Sequence, residues 1–127
     1  MRAILDTSVL ISDDPRLLPD EASISVVSLA ELHLGLLLAR DPGERARRLR
    51  RLGFVEAEFD PLPIDAEIAR TWGALASLSV ERGLQPRRRA MDLLIAATAR
   101  ALDVPLITLD QDLLPLADVV DIRDRAD

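Results

Sequence analysis

Apolar and polar positions along the 127-residue chain change period several times, and the changes mark out alternating strands and helices. A short apolar run, Arg2 to Leu5, predicts a buried strand, with a short helix after Asp6 and a loop broken by Pro15 and Pro19. A second strand is expected near Ser23 to Val27, and a helix over Leu29 to Ala39 that "DPG" at Asp41 to Gly43 stops. An arginine-rich helix should end by Glu58, and "DPLPID" reads as a short extended piece. Helices follow over Ala66 to Arg82, stopped at Gly83, and over Arg87 to Leu102. "VPLITL" predicts a strand, a short turn or helix comes next, and "ADVVDI" predicts a last strand. Strand alternating with helix implies an α/β fold, with a mostly parallel central sheet flanked by helices on both faces.

Two of these strands, "AILD" and "PLITLD", stop on an aspartate. In open parallel sheets, ligands bind beyond the carboxyl ends of the strands, near a switch in strand order. Asp6 and Asp110 are expected there, and they come close if their strands are neighbours.

Composition narrows the chemistry. The length suits a single domain, residues 1–127, with one core and one site. No apolar stretch is long and charge-free enough to cross a bilayer. The apolar run after Arg2 meets Asp6 at once, so export is not expected. There is no cysteine, which excludes thiolate chemistry and agrees with a reducing, cytoplasmic setting. The net charge is −6, yet every basic residue is arginine, and many stand in "RARRLRR", Arg45 to Arg51, and in Arg87 to Arg89. The first cluster has two readings. It is either the solvated face of a helix, with Glu44 pairing to Arg48 and with Leu49 and Leu52 inward, or a surface that contacts phosphates.

Three further acids stand out by context. Asp92 sits in "RAMDLLIAATARAL", apolar around its whole circumference, where a bare carboxylate is costly unless Arg88 pairs with it. Glu31 closes "SLAE", a pattern that also fits a capping box begun by Ser28. Asp112 follows Asp110 two positions later. If these acids converge, carboxylates about 4 Å apart repel by roughly 4 kcal/mol at an effective dielectric near 20. Such a cluster either takes up protons or binds cations. With oxygen donors, no cysteine and one histidine, the cation class is a hard ion such as Mg²⁺ or Mn²⁺. Metal-assisted hydrolysis of a phosphodiester needs no protein nucleophile, and neither a Ser-His-Asp order nor a glycine-rich phosphate loop is present. His33, two positions from Glu31, faces another side of its helix.

In series, "ILDTSVLI", "VVSLAELHLG", "AMDLLIAATA" and "LITLDQDLL" resemble the motifs of a stand-alone PIN domain of the VapC toxin type, over essentially the whole chain. The resemblance implies a PIN-like fold and an Mg²⁺- or Mn²⁺-dependent endoribonuclease that arrests translation. It also implies a homodimer and neutralisation by a cognate VapB-type antitoxin. Carried over by motif position, Asp6, Glu31, Asp92 and Asp110 form the acidic quartet. Asp6 and Asp92 would hold the principal metal, Glu31 and Asp110 complete its surroundings, and Asp112 serves as a second or supporting ligand. Thr7 and Thr108 would orient a carboxylate or water. The aromatic that often follows the last motif is Leu113 here. Arg47, Arg48, Arg51, Arg87, Arg88 and Arg89 are the candidates for contact with the RNA backbone.

Three rival classes are weaker. A response-regulator receiver needs a lysine near its last strand, and the chain has none. A phosphoaspartate hydrolase wants Asp-x-Asp, but position 8 is Ser8. A non-catalytic interaction module, with Trp72 and the leucines of "LHLGLLLA" as its partner surface, is the alternative to a nuclease.

Overall fold

The computed structural model describes residues 2–12, 14 and 19–125. The loop expected around Pro15 therefore lies outside the described residues. Four parallel strands, β1 (Arg2–Leu5), β2 (Glu21–Ser23), β3 (Leu106–Ile107) and β4 (Ile122–Arg123), lie in the order β2-β1-β3-β4. The helices are α1 (Thr7–Leu10), α2 (Val26–Leu38), α3 (Pro42–Glu58), α4 (Ala66–Glu81) and α5 (Ala90–Leu102). A 3-10 helix, Gln111–Leu116, joins β3 to β4.

Alternation along β1 builds the two cores. Ile4 faces one side with Leu106, α4, α5 and the 3-10 helix. Ala3 and Leu5 face the other side with Ile107, Ile24 and the inner residues of α1, α2 and α3. The sheet is thus covered on both faces, as its apolar strands require. In α5 the fully buried residues are mostly alanines, Ala96, Ala97 and Ala99, beside Ile95. Their small side chains let this helix come close to the sheet. Among the described residues no helix is long and apolar enough to cross a membrane.

Several boundaries differ from expectation, each for a local reason. β2 ends at Ser23, and α2 begins at Val26 instead of Leu29, because the buried Ser25 hydroxyl accepts from Val27 N–H at 3.0 Å and caps the helix. Ser28 is consequently inside α2, and no capping box forms between it and Glu31. "DPG" does more than end α2: Asp41 accepts from Glu44 N–H at 2.9 Å and Pro42 opens α3. Leu52 is buried as expected, but Leu49 is 58% exposed. "DPLPID" is extended, and its Leu62 pairs in parallel with Ser25. Gly83, with φ +76°, ends α4 in the left-handed conformation while Leu84 N–H bonds back to Ser79 C=O at 2.8 Å. Residues 86–89 form a turn, so α5 starts at Ala90. The last strand forms at Ile122–Arg123, after the turn that buries Val120.

Candidate functional site

The chain runs from β1 to β2 on one side and later adds β3 on the other side of β1, so the switch in strand order lies between β1 and β3. Leu5 pairs with Ile107, which sets the next residues, Asp6 and Thr108, opposite each other just past the strand ends. Asp6 N–H still bonds to Ile107 C=O at 2.9 Å, and both side chains are buried. Thr108 Oγ1 donates to Asp6 Oδ2 at 2.8 Å, and Ser8 Oγ donates to the same oxygen at 2.7 Å. Ser8 in turn accepts from Leu109 N–H at 3.0 Å, and Thr108 accepts from Asp110 N–H at 3.0 Å. A buried carboxylate is thereby held in one orientation by two hydroxyls that are themselves fixed by backbone.

The remaining acids come from three elements. Glu31 reaches in from α2, where Thr7 Oγ1 donates to its Oε1 at 2.7 Å and lies 2.9 Å from Ser28 Oγ. Burial raises the Glu31 pKa, the Thr7 hydrogen bond opposes the rise, and the charge of Asp6 adds to it. Asp92 stands in the first turn of α5. Burial, then repulsion from Asp6, Asp110 and Glu31, lifts its pKa from 3.8 to about 6, against the pull of Arg89. Asp110 caps the 3-10 helix by accepting from Asp112 N–H at 2.9 Å.

The four acids expected to converge, Asp6, Glu31, Asp92 and Asp110, therefore share one electrostatic neighbourhood. Asp112 stands at its rim, where its Oδ2 accepts from Arg89 Nη2 at 2.7 Å. Asp110 is among the charges that raise the Asp92 pKa. Among the described residues, no three carboxylate or imidazole groups are already arranged as a metal cage. Asp6, Glu31 and Asp110 each accept from a neighbouring donor, and Asp92 faces Arg89.

Arg89 occupies an unexpected place. Placed by sequence with the arginines that would contact RNA, it lies inside the acidic site, 3.7 Å from Asp92 and 3.9 Å from Asp110 in addition to its bond to Asp112. It, and not Arg88, is the basic partner of Asp92. Arg87 and Arg88 are exposed on the turn before α5. On α3, Arg47 pairs with Glu44, while Arg48 donates to Glu44 at 2.8 Å and to Gly35 C=O at 2.6 Å. Arg51 donates to Ile11 C=O at 3.3 Å. His33 pairs with Glu56 at 2.8 Å, away from the acids. Leu113 is buried in the core beside Leu116. Ser8, noted in the sequence only for breaking an Asp-x-Asp pattern, and Ser28, noted only as a helix cap, were not expected at the site. Their signal is proximity alone, one inside "DTS" directly after β1 and one a helical turn before Glu31.

Comparison with known proteins places this arrangement. The PIN domain family model matches residues 3–119. The chain belongs to the PIN-domain family. Ribonuclease VapC5 of Mycobacterium tuberculosis is 41% identical over 89% of this chain and 86% of the relative. Ribonuclease VapC4 of the same organism is 38% identical over 93% of each. The solved structure of VapBC-5, a member of the VapBC family of toxin-antitoxin systems from M. tuberculosis, matches with a TM-score of 0.84 and 39% identity over 96% of this chain and 95% of that one. This PIN domain is thus of the VapC type, and its all-parallel sheet flanked by helices is the PIN fold.

Proposed function

We propose that this PIN domain is an endoribonuclease that hydrolyses RNA phosphodiesters with Mg²⁺ or Mn²⁺ and serves as the toxin of a toxin–antitoxin pair, arresting translation. The observation that carries the reading is the convergence of Asp6, Glu31, Asp92 and Asp110 past the ends of β1 and β3, where burial and the charges of the other three push the Asp92 pKa up to about 6. A hard divalent cation relieves that repulsion, and an all-oxygen donor set suits such an ion. Asp6 and Asp92, with Glu31 and Asp110 beside them, would hold it, and Asp112 would support them from the rim. When bound, the ion supplies charge neutralisation at the phosphate and lowers the pKa of water. The chain's own residues do the positioning. Ser8 and Thr108 fix the orientation of the Asp6 carboxylate, and Thr7 fixes that of Glu31. Arg89 offsets part of the negative charge and offers a guanidinium to an approaching phosphate.

Similarity to proteins named as ribonucleases supports the substrate class, and the VapBC-5 structure supports a VapB-type antitoxin as partner. Exposed Leu34, Leu37 and Leu38 on α2 and Phe54 on α3 give apolar area for antitoxin and homodimer contacts. The test is incubation of the protein and of Asp92→Asn with total cellular RNA, in Mg²⁺, Mn²⁺ or EDTA. Discrete cleavage that vanishes in EDTA and in the variant is the expected result. Absence of cleavage with any metal would leave a PIN fold that binds without cutting.

A further inference from the structure

Beside the acids, the carboxyl ends of β3 and β4 frame an open cleft of about 620 Å³. Thr108 and Asp110 form the wall shared with the acidic site, and Arg123, Asp124 and Arg125 stand on the wall contributed by β4 and the residues after it, two cations with one carboxylate between them. Between them lie Leu109, Leu114 and Ile122. Leu109 is 45% and Leu114 53% exposed, in a chain that buries most of its other C-terminal aliphatic residues. The volume falls within the range of small-ligand sites, about 300–1,000 Å³.

We propose that this cleft binds the nucleotide adjoining the scissile phosphodiester of a single-stranded RNA. The proposal rests on the ribonuclease reading and adds a subsite to it. A strand whose phosphate meets Asp6 and Asp92 and that leaves on the Asp110 side enters the cleft, which opens at that residue. The base lies with its apolar face on Leu109 and Leu114, and its neighbouring phosphate meets Arg123 and Arg125. Arg123 is aimed in advance: its Nε and Nη2 donate to the two oxygens of Asp121 at 3.1 and 2.9 Å. The placement also suits the overall charge, since a chain of net −6 needs its cations local to the strand it receives. A base must leave its stack to lie on these leucines, which selects single-stranded RNA over duplex. With aliphatic rather than aromatic side chains beneath the base, selection for base identity falls to the Gln111 amide on the cleft lining.

The experiment measures binding separately from cleavage. Fluorescence anisotropy of a labelled single-stranded oligouridylate is followed in the Asp92→Asn background, with Arg125→Gln, Leu114→Glu or, on exposed α4 surface, Arg70→Gln added. Arg125→Gln and Leu114→Glu are expected to weaken binding about fivefold or more, and Arg125→Gln to reduce the log–log salt slope by about 0.7, the share of one phosphate on a single strand. Arg70→Gln should change neither. Melting midpoints of the variants report that each is folded. Unchanged affinity in both cleft variants overturns the proposal, as does an equal loss for a labelled polyglutamate of matching length. If the cleft variants lose affinity while the unmodified protein cleaves nothing, the cleft remains a binding site for single-stranded RNA, and the nuclease reading falls together with the cleft's place beside a scissile bond. If cleavage occurs and both cleft variants bind normally, the subsite falls alone.

Discussion

Thr108 Oγ1 donates to Asp6 Oδ2 across a sequence separation of 102 residues, at 2.8 Å and out of contact with solvent. The same hydroxyl accepts the Asp110 N–H, so one side chain ties together β1, β3 and the start of the 3-10 helix. Thr108→Val keeps the shape and removes both functions. It should lower stability by about 2 kcal/mol in urea unfolding, within the range for orphaned buried polar groups, whereas Thr108→Ser should cost less than about 1 kcal/mol. RNA cleavage should slow in Thr108→Val with little change in KM, because the lost hydroxyl is bonded to Asp6 and to Asp110 N–H and the isosteric valine keeps the wall of the cleft.

Asp92→Asn makes the charge stress measurable as stability. The folded-state pKa of Asp92 lies above its usual 3.8, at about 6, so the folded protein holds this proton more tightly than the unfolded chain does. The corresponding stability is complete below pH 3.8 and is lost as pH rises through about 6, an amount that solvent screening of this half-buried group holds to about 1–2 kcal/mol. Asp92→Asn should therefore melt higher than the unmodified protein at pH 8, and the gap should close toward pH 4. A gap of equal size at both pH values would contradict the assignment. Glu31, also raised, acts in the same direction.

Arg89→Gln removes the guanidinium from among Asp92, Asp110 and Asp112. The Asp92 pKa should rise further, since Arg89 is the neighbour that lowers it, and carboxyl chemical shifts in a pH titration would read this. The ion pairs are partly exposed, so the loss in stability should stay within about 1 kcal/mol. Mn²⁺ titration followed by electron paramagnetic resonance should show tighter binding in Arg89→Gln, because the built-in cation no longer competes. Unchanged affinity would mean that Arg89 and the metal do not share the acids.

The two arginine clusters should separate on substitution. Arg48 joins α3 to α2 through Gly35 C=O while bonding Glu44 on its own helix, and the hydrogen bonds from Arg47 and then Arg48 hold the Glu44 pKa below the usual range. Arg48→Gln should cost about 1 kcal/mol of stability and leave RNA affinity alone. Arg87→Gln and Arg88→Gln, on the exposed turn, should leave stability alone and each flatten the salt dependence of RNA binding by about 0.7.

What the sequence disclosed follows the physics of each segment. β1 and its aspartate were legible because a fully buried parallel strand is a continuous apolar run, and a carboxylate at its end has few structural excuses. β2 and α2 were misplaced because Val26 and Val27 have strand propensity, while the serine that decides the boundary is identified only by its backbone: Ser25 is extended and buried, Ser28 is already helical. "DPG" carries a stop and a start in the same letters, and only the Asp41 hydrogen bond shows that the start prevails. The acids were readable by position; the hydroxyls of Ser8 and Ser28 were not, since short polar residues are common near element ends. Arg89 differs from Arg87 and Arg88 only in where the turn before α5 aims it, and three identical residues in a row carry no such mark.

Because β3 is the strand that completes the site, the order of synthesis matters. Asp6, Glu31 and Asp92 all precede it in the chain, yet the partner of Asp6 is residue 108, and the register that brings them together is Leu5 on Ile107. Long-range pairing of this kind forms late, after the chain between the strands has been closed into a loop. A chain made only as far as α5 thus carries three of its four carboxylates without the strand that fixes Asp6 among them, and the site assembles only when β3 pairs with β1.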